Sequence, residues 1–176
     1  MNLIEIVIES IPKKFLKKIL AFKVEDIISS HFFDTYTNKD ISYEEIRDFA
    51  QHFIVPGCGT IYLKKVNMGI VLENAMISVS CDGNLSDITI NFNEEQFSQW
   101  SLSEKHENFY KLLKKMVEIE EIYEADKISF GYEPAEDCDM KLVEIVPDRI
   151  KIYNKSLYEN FWNKEFYYVA ENYVKN

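Results

Sequence analysis

The sequence predicts an α+β fold with a mainly antiparallel sheet, a three-stranded meander plus a later strand pair, packed with about four to five helices. Three observations carry this reading. Residues 60–92 form three β-rich runs separated only by short turns. Helical spacing brackets those runs instead of alternating with strands, which disfavours a doubly wound parallel sheet. The chain has 176 residues, 47% of them hydrophobic, enough for one substantial core. Four prolines and five glycines leave little material for a linker, so residues 1–176 read as a single globular domain.

The elements follow in order. Leu3, Ile4, Ile6, Val7 and Ile8 make a short apolar strand. Pro12 suits the first position of a helix that sets Phe15, Leu16, Ile19 and Leu20 opposite Lys13, Lys14, Lys17 and Lys18. Val24 to Asp40 is ambiguous, because Ile27, Ile28, Phe32 and Phe33 serve a helix or a strand equally. Ser42-x-x-Glu45 is a capping box opening a helix to about Ile54, which Pro56-Gly57 stops. The meander is Thr60–Val66, Gly69–Ser80 and Leu85–Phe92, with Asp82-Gly83-Asn84 as its clearest hairpin signal. Ile88, Ile90 and Phe92 alternate with Thr89 and Asn91, which predicts one wet face.

A second capping box, Ser101-x-x-Glu104, opens the clearest helix, about Ser103 to Glu124. Its stripe is Phe109, Leu112, Leu113, Met116, then Ile119 or Glu120, then Tyr123. Lys127–Tyr132 and Lys141–Tyr153 read as strands, the second turned at Pro147-Asp148. Ser156-x-x-Glu159 caps a last helix carrying Tyr158, Phe161, Trp162, Phe166 and Val169.

Composition excludes several function classes. No apolar run approaches the roughly 20 residues that span a bilayer. The N-terminus lacks a basic region and is interrupted by Glu5, so it does not read as a signal peptide. Three cysteines, an odd number without CxxC spacing, predict reduced thiols and a cytoplasmic setting. A pI near 4.8 repels phosphate backbones and favours encounter with a basic partner.

Candidate chemistry is sparse. Cys58, between Gly57 and Gly59 and six residues after His52, has the setting of a nucleophilic thiol in a turn. The same residues also read as a helix stop with a small side chain, and no helix N-terminus follows to lower the thiol pKa. His31, His52 and His106 are far apart and show no metal spacing. Counted from Asp137 as a calcium loop, the sixth and twelfth positions hold Leu142 and Asp148 where Gly and Glu are required, so the template fails. No glycine-rich phosphate cradle exists, and no cofactor is expected. The lysine face of the first helix reads as the outer side of a helix covering a sheet, with the acidic residues of this or a second chain as its counter-charges.

The strongest polarity lies in residues 118–148. Eleven carboxylates (Glu118, Glu120, Glu121, Glu124, Asp126, Glu133, Glu136, Asp137, Asp139, Glu144, Asp148) stand against Lys127 and Lys141 there, nine of the chain's ten net negative charges. At the centre is Gly131-Tyr-Glu-Pro-Ala-Glu-Asp-Cys-Asp-Met140, a loop between two expected strands, and clustered acids at such a tip also read as a plain solvated loop.

Ile128-Ser-Phe-Gly-Tyr-Glu-Pro-Ala-Glu-Asp137, followed by Met140-Lys-Leu-Val-Glu-Ile145, resembles segments in small acidic immunity proteins of bacterial polymorphic toxin systems. The resemblance implies a cytoplasmic, non-enzymatic protein that neutralises a cognate toxin by covering a functional surface. It would act on a basic protein partner such as a toxin domain, with neither nucleic acid nor membrane as partner. Charge clustering beside an aromatic singles out Tyr132, Glu133, Glu136, Asp137 and Asp139 as the expected partner-binding residues. A small enzyme using Cys58 or a carboxylate pair, and a self-associating structural protein, are the alternatives.

Overall fold

The computed structural model describes residues 3–34, 39–42, 57–153 and 162–175. Its strands are β1 (Leu3–Pro12), β2 (Ile27–Asp34), β3 (Lys39–Ser42), β4 (Gly57–Asn67), β5 (Val71–Asp82), β6 (Leu85–Asn93), β7 (Lys127–Tyr132), β8 (Lys141–Val146) and β9 (Arg149–Ile152). They form one nine-stranded sheet in the order β3-β2-β4-β5-β6-β1-β7-β8-β9. Every neighbouring pair is antiparallel. The described helices are α1 (Leu16–Ile19), α2 (Glu95–Ser98), α3 (Leu102–Tyr123) and α4 (Trp162–Lys175), and α1 and α2 are single turns.

This overturns the expected α+β arrangement of a meander, a separate strand pair and four to five helices. Three differences account for it. The ambiguous Val24–Asp40 segment, after a 3-10 turn at Val24–Asp26, supplies β2 and the start of β3. The lysine-rich helix shrinks to a 3-10 turn at Lys13–Phe15 and the one turn of α1, because β1 stays extended through Pro12. Above all, β1 lies between β6 and β7 and fuses the meander with the later strands. The expected helix from Ser42 to Ile54 falls on residues 43–56, outside the described residues, while Ser42 itself ends β3. The expected last helix is present as α4 with Trp162, Phe166 and Val169, and only its cap at Ser156 and first residues, within 154–161, lie outside the described residues.

A central strand loses solvent on both faces, and the uninterrupted apolar start of the chain is suited to that. Ile4 pairs with Phe92 and Tyr132, Ile6 with Ile90 and Phe130, and Ile8 with Ile88 and Ile128. All three isoleucines are fully buried. Strand alternation places them on the face that α3 and α4 cover: Phe130 meets Phe166 of α4 at 4.8 Å, and Ile8 and Ile119 of α3 line one cavity. The opposite face carries Glu5, Asn91 and Ser129, all buried, and Thr89, half-buried. The wet face expected along β6 is therefore closed at Asn91, whose amide donates to Glu5 Oε1 at 3.2 Å.

The helix α3 starts where its capping box predicts. The Ser101 N–H donates to Glu104 Oε2 at 2.8 Å, and the Glu104 N–H donates to Ser101 Oγ at 3.4 Å. Its buried stripe is Phe109, Leu112, Leu113, Met116, Ile119 and Glu120. Phe97, in α2, joins the layers through ring contacts to Phe92, Trp100, Phe109 and Trp162 at 4.8–5.6 Å. Truncating this fully buried ring leaves a cavity between sheet, α3 and α4. Phe97→Ala is expected to lower the unfolding free energy in urea by about 3–5 kcal/mol; a loss under about 1 kcal/mol would contradict the packing role.

Candidate functional site

The residues singled out as partner-binding lie in the connection from β7 to β8. Its backbone is closed by its own hydrogen bonds. The Glu133 N–H donates to Leu3 O, Asp137 N–H to Pro134 O, and both Met140 and Lys141 N–H to Asp137 O, at 2.9–3.1 Å. The Glu133–Pro134 peptide is cis. Asp137 Oδ1 also accepts from the Asp139 N–H at 3.0 Å. Gly131 allows the return of the loop, because a Cβ there would run into the Met140 carbonyl oxygen. Glu5 anchors the loop from below: its Oε2 accepts from the Ala135 N–H at 2.7 Å, and Ala135 is fully buried. This leaves the side chains of Glu133, Glu136, Asp137 and Asp139 exposed on an ordered frame.

Tyr132 does different work. It is half-buried, its ring lies 5.9 Å from that of Trp162, and its hydroxyl sits 2.9 Å from Asn163 Nδ2. Burial pushes its phenol pKa up. The residue ties the base of the loop to the start of α4.

The remaining acids of residues 118–148 separate into distinct environments. Glu124, the left-handed C-cap of α3, pairs with Lys14 at 2.9 Å, so one lysine of the first-helix face meets the acidic stretch within the molecule. Glu118 pairs with Lys115 at 3.4 Å. Glu144 is buried in β8, where Lys141 Nζ, Lys151 Nζ and Tyr153 Oη donate to it at 2.7, 2.6 and 3.1 Å. Burial alone would raise its carboxyl pKa; these three donors outweigh burial and hold it at about 2. Glu121 and Asp148 gather at the far end of β8, about 20 Å from the loop at roughly 3.3 Å per residue. The acidic stretch is therefore not one surface.

That far end is a groove of about 460 Å³ between α3, the β8–β9 turn and α4. Val117, Ile150, Tyr173 and Val174 supply apolar walls, and Glu120, Glu121, Asp148 and Arg149 supply charge. Glu120 is only 9% exposed. Burial, then the nearby charges of Glu121 and Asp148, push its carboxyl above the usual range. On the other flank of α3, a cavity of about 310 Å³ is rimmed by Lys18, Lys23, Lys65 and Lys115. The C-terminal half of α3 thus separates an acidic groove from a basic one. The one sequence signal for the acidic groove is Glu120 sitting where the apolar stripe of α3 continues.

Among the described residues the catalytic candidates do not assemble. Cys58 lies within β4, paired with Phe33 and Ser80, and not in a turn. His52 is outside the described residues. His106 Nε2 lies 2.6 Å from Glu165 Oε2, and its ring stacks on Tyr168. Among the described residues no His, Cys, Asp and Glu side chains group as a metal site, and no helix is long and apolar enough to cross a membrane.

A family model described as the PABL017 Cdi1I immunity protein matches residues 2–146. The chain belongs to this immunity protein family. Family membership gives it a binding role instead of a catalytic one. The match spans β1 through β8 and ends before β9 and α4. The fold is also found in a chain of a crystal structure described as the toxic C-terminal tip of CdiA from Pseudomonas aeruginosa in complex with immune protein. The TM-score is 0.61 at 14% identity, covering 85% of this chain and 97% of that one. No curated protein sequence matches this immunity protein.

The Glu144 cluster has a pH signature. A carboxyl held at about 2 when folded, against 4.5 for an ordinary Glu, contributes stability that is present above about 4.5 and lost as pH falls towards 2. Across that window, wild type is expected to lose about 2 kcal/mol more unfolding free energy than Glu144→Gln in urea titrations. Parallel pH profiles for the two proteins would contradict it.

Proposed function

We propose that this immunity protein acts in the cytoplasm by binding a toxin domain directly, with the acidic loop between β7 and β8 as one contact to a basic surface of that toxin. The observation that carries the reading is the loop's construction. Glu133, Glu136, Asp137 and Asp139 project from a backbone already closed by hydrogen bonds and anchored on buried Glu5. An ordered loop gives up little conformational freedom on docking. Exposed carboxylates attract a basic partner over roughly a Debye length, about 8 Å at physiological salt, and so act mainly on association rate. The Pseudomonas aeruginosa structure, described as a toxin tip in complex with immune protein, supports the same kind of pairing here.

Glu133 and Glu136 are the residues to alter, since neither side chain is used to build the loop. With a cognate toxin domain, the double variant Glu133→Lys, Glu136→Lys is expected to slow association about tenfold at low salt. The difference should shrink in roughly 0.5 M salt, where screening is strong. An association rate and salt dependence equal to wild type would remove the loop from the interface.

A further inference from the structure

We propose that the groove between α3, the β8–β9 turn and α4 receives a basic side chain, arginine or lysine, from the protein partner, with Glu120 as its buried acceptor. This rests on the immunity reading above and adds a second, short-range contact to it.

Glu120 is the unusual group. Its residue is nine-tenths covered and lines the groove wall. Among the described residues no hydrogen bond or ion pair reaches its carboxylate; Glu118, two residues earlier, has Lys115, and Glu124, one turn later, has Lys14. A largely covered carboxylate without a protein partner keeps only part of its hydration, so an arriving cation or donor is favoured there. Its charged neighbours make the deficit worse, since Glu121 and Asp148 carry the same sign. Tyr173, on the opposite wall, senses the same field: burial raises its pKa first, and Tyr110, Glu121 and Glu118 add to the rise.

The groove's shape selects among cations. Its apolar walls, Val117, Ile150, Tyr173 and Val174, suit the aliphatic stem of a long basic side chain whose charged head reaches Glu120. A divalent metal lacks its oxygen set, because Glu120, Glu121 and Asp148 are not grouped closely enough to hold a metal ion, and no such group occurs among the described residues. Arg149 lines the groove but is exposed and forms no ion pair with Glu120, so the chain does not fill the site itself. Half-exposed Val174 adds apolar surface at the rim. An apolar ring around a largely covered charge is the composition of an interface hot spot. The outer wall, from Arg149 onward, lies beyond the residues that the family model matches.

A buried charge pair acts on dissociation, in contrast to the exposed loop. Two arms test this. First, n-propylguanidinium, the arginine side chain alone, is titrated into the free chain near neutral pH while the carboxyl carbon shift of Glu120 is followed by NMR. A saturable shift at Glu120, absent at Glu133 and Glu136, is expected. No saturation, or equal saturation at the loop carboxylates, overturns the site. Second, Glu120→Gln is compared with wild type against a cognate toxin domain. Dissociation should accelerate about thirtyfold with association within about twofold. The variant should fold at least as stably as wild type, because it removes an unpaired buried charge. Toxin binding unchanged by Glu120→Gln overturns the inference and leaves the immunity reading intact. A wild-type chain that binds no toxin domain overturns the proposed direct toxin binding, while the guanidinium arm still decides the groove.

Discussion

The whole arrangement depends on β1 being hydrogen-bonded along both edges. Strands that precede it in the sheet order come from residues 27–93, and strands that follow it come from residues 127–152. Without β1 there would be two smaller sheets and no common surface for α3 and α4. Its isoleucines stack in register with Phe92, Ile90, Phe130 and Ile128 and build the core on the helical side. Its one central carboxylate, Glu5, points to the other side and holds Asn91 and the Ala135 N–H. One strand therefore joins the sheet and positions the acidic loop.

The sheet also sorts the negative charge. The eleven acids close in sequence end in settings with different energetic weight. Glu144 is buried with three donors, and its removal would strand Lys141, which is itself buried. The loop acids are solvated, so each adds little to stability while together they shape the long-range field. Glu120 is covered but unpaired, and that combination makes it a candidate for short-range recognition. Counting charges along the chain merges these three cases; the hydrogen-bond partners separate them.

What was legible in the sequence was local. Gly83 adopts a positive φ in the β5–β6 hairpin, Ser101 and Glu104 cap α3 reciprocally, and Pro147-Asp148 turns β8 into β9. Each depends on residues within a few positions of one another. The insertion of β1 between strands some 80 and 120 residues away leaves no such trace, and that insertion made the expected meander and strand pair into one sheet. It also lengthened β1 at the expense of the first helix. Cys58 lies in a strand and not in the expected turn because β4 begins at Gly57, directly after Pro56. At the site, the loop carboxylates were legible as a charge cluster, but the tethering of Tyr132 to Asn163 was not, since its partner lies 31 residues away. The groove was legible only as a conflict: a glutamate competing with Ile119 for the inner face of α3.

In the proposed complex, partner recognition uses the two ends of β8, the loop before it and the groove after it. Hydrogen–deuterium exchange of the chain, free and bound to a cognate toxin domain, is the decisive measurement. Slowed exchange in residues 133–140, 117–121 and 147–150 is expected on binding. Protection confined to the β2–β3 edge or to the lysine-rimmed cavity around Lys18 and Lys65, with those three segments unchanged, would contradict it.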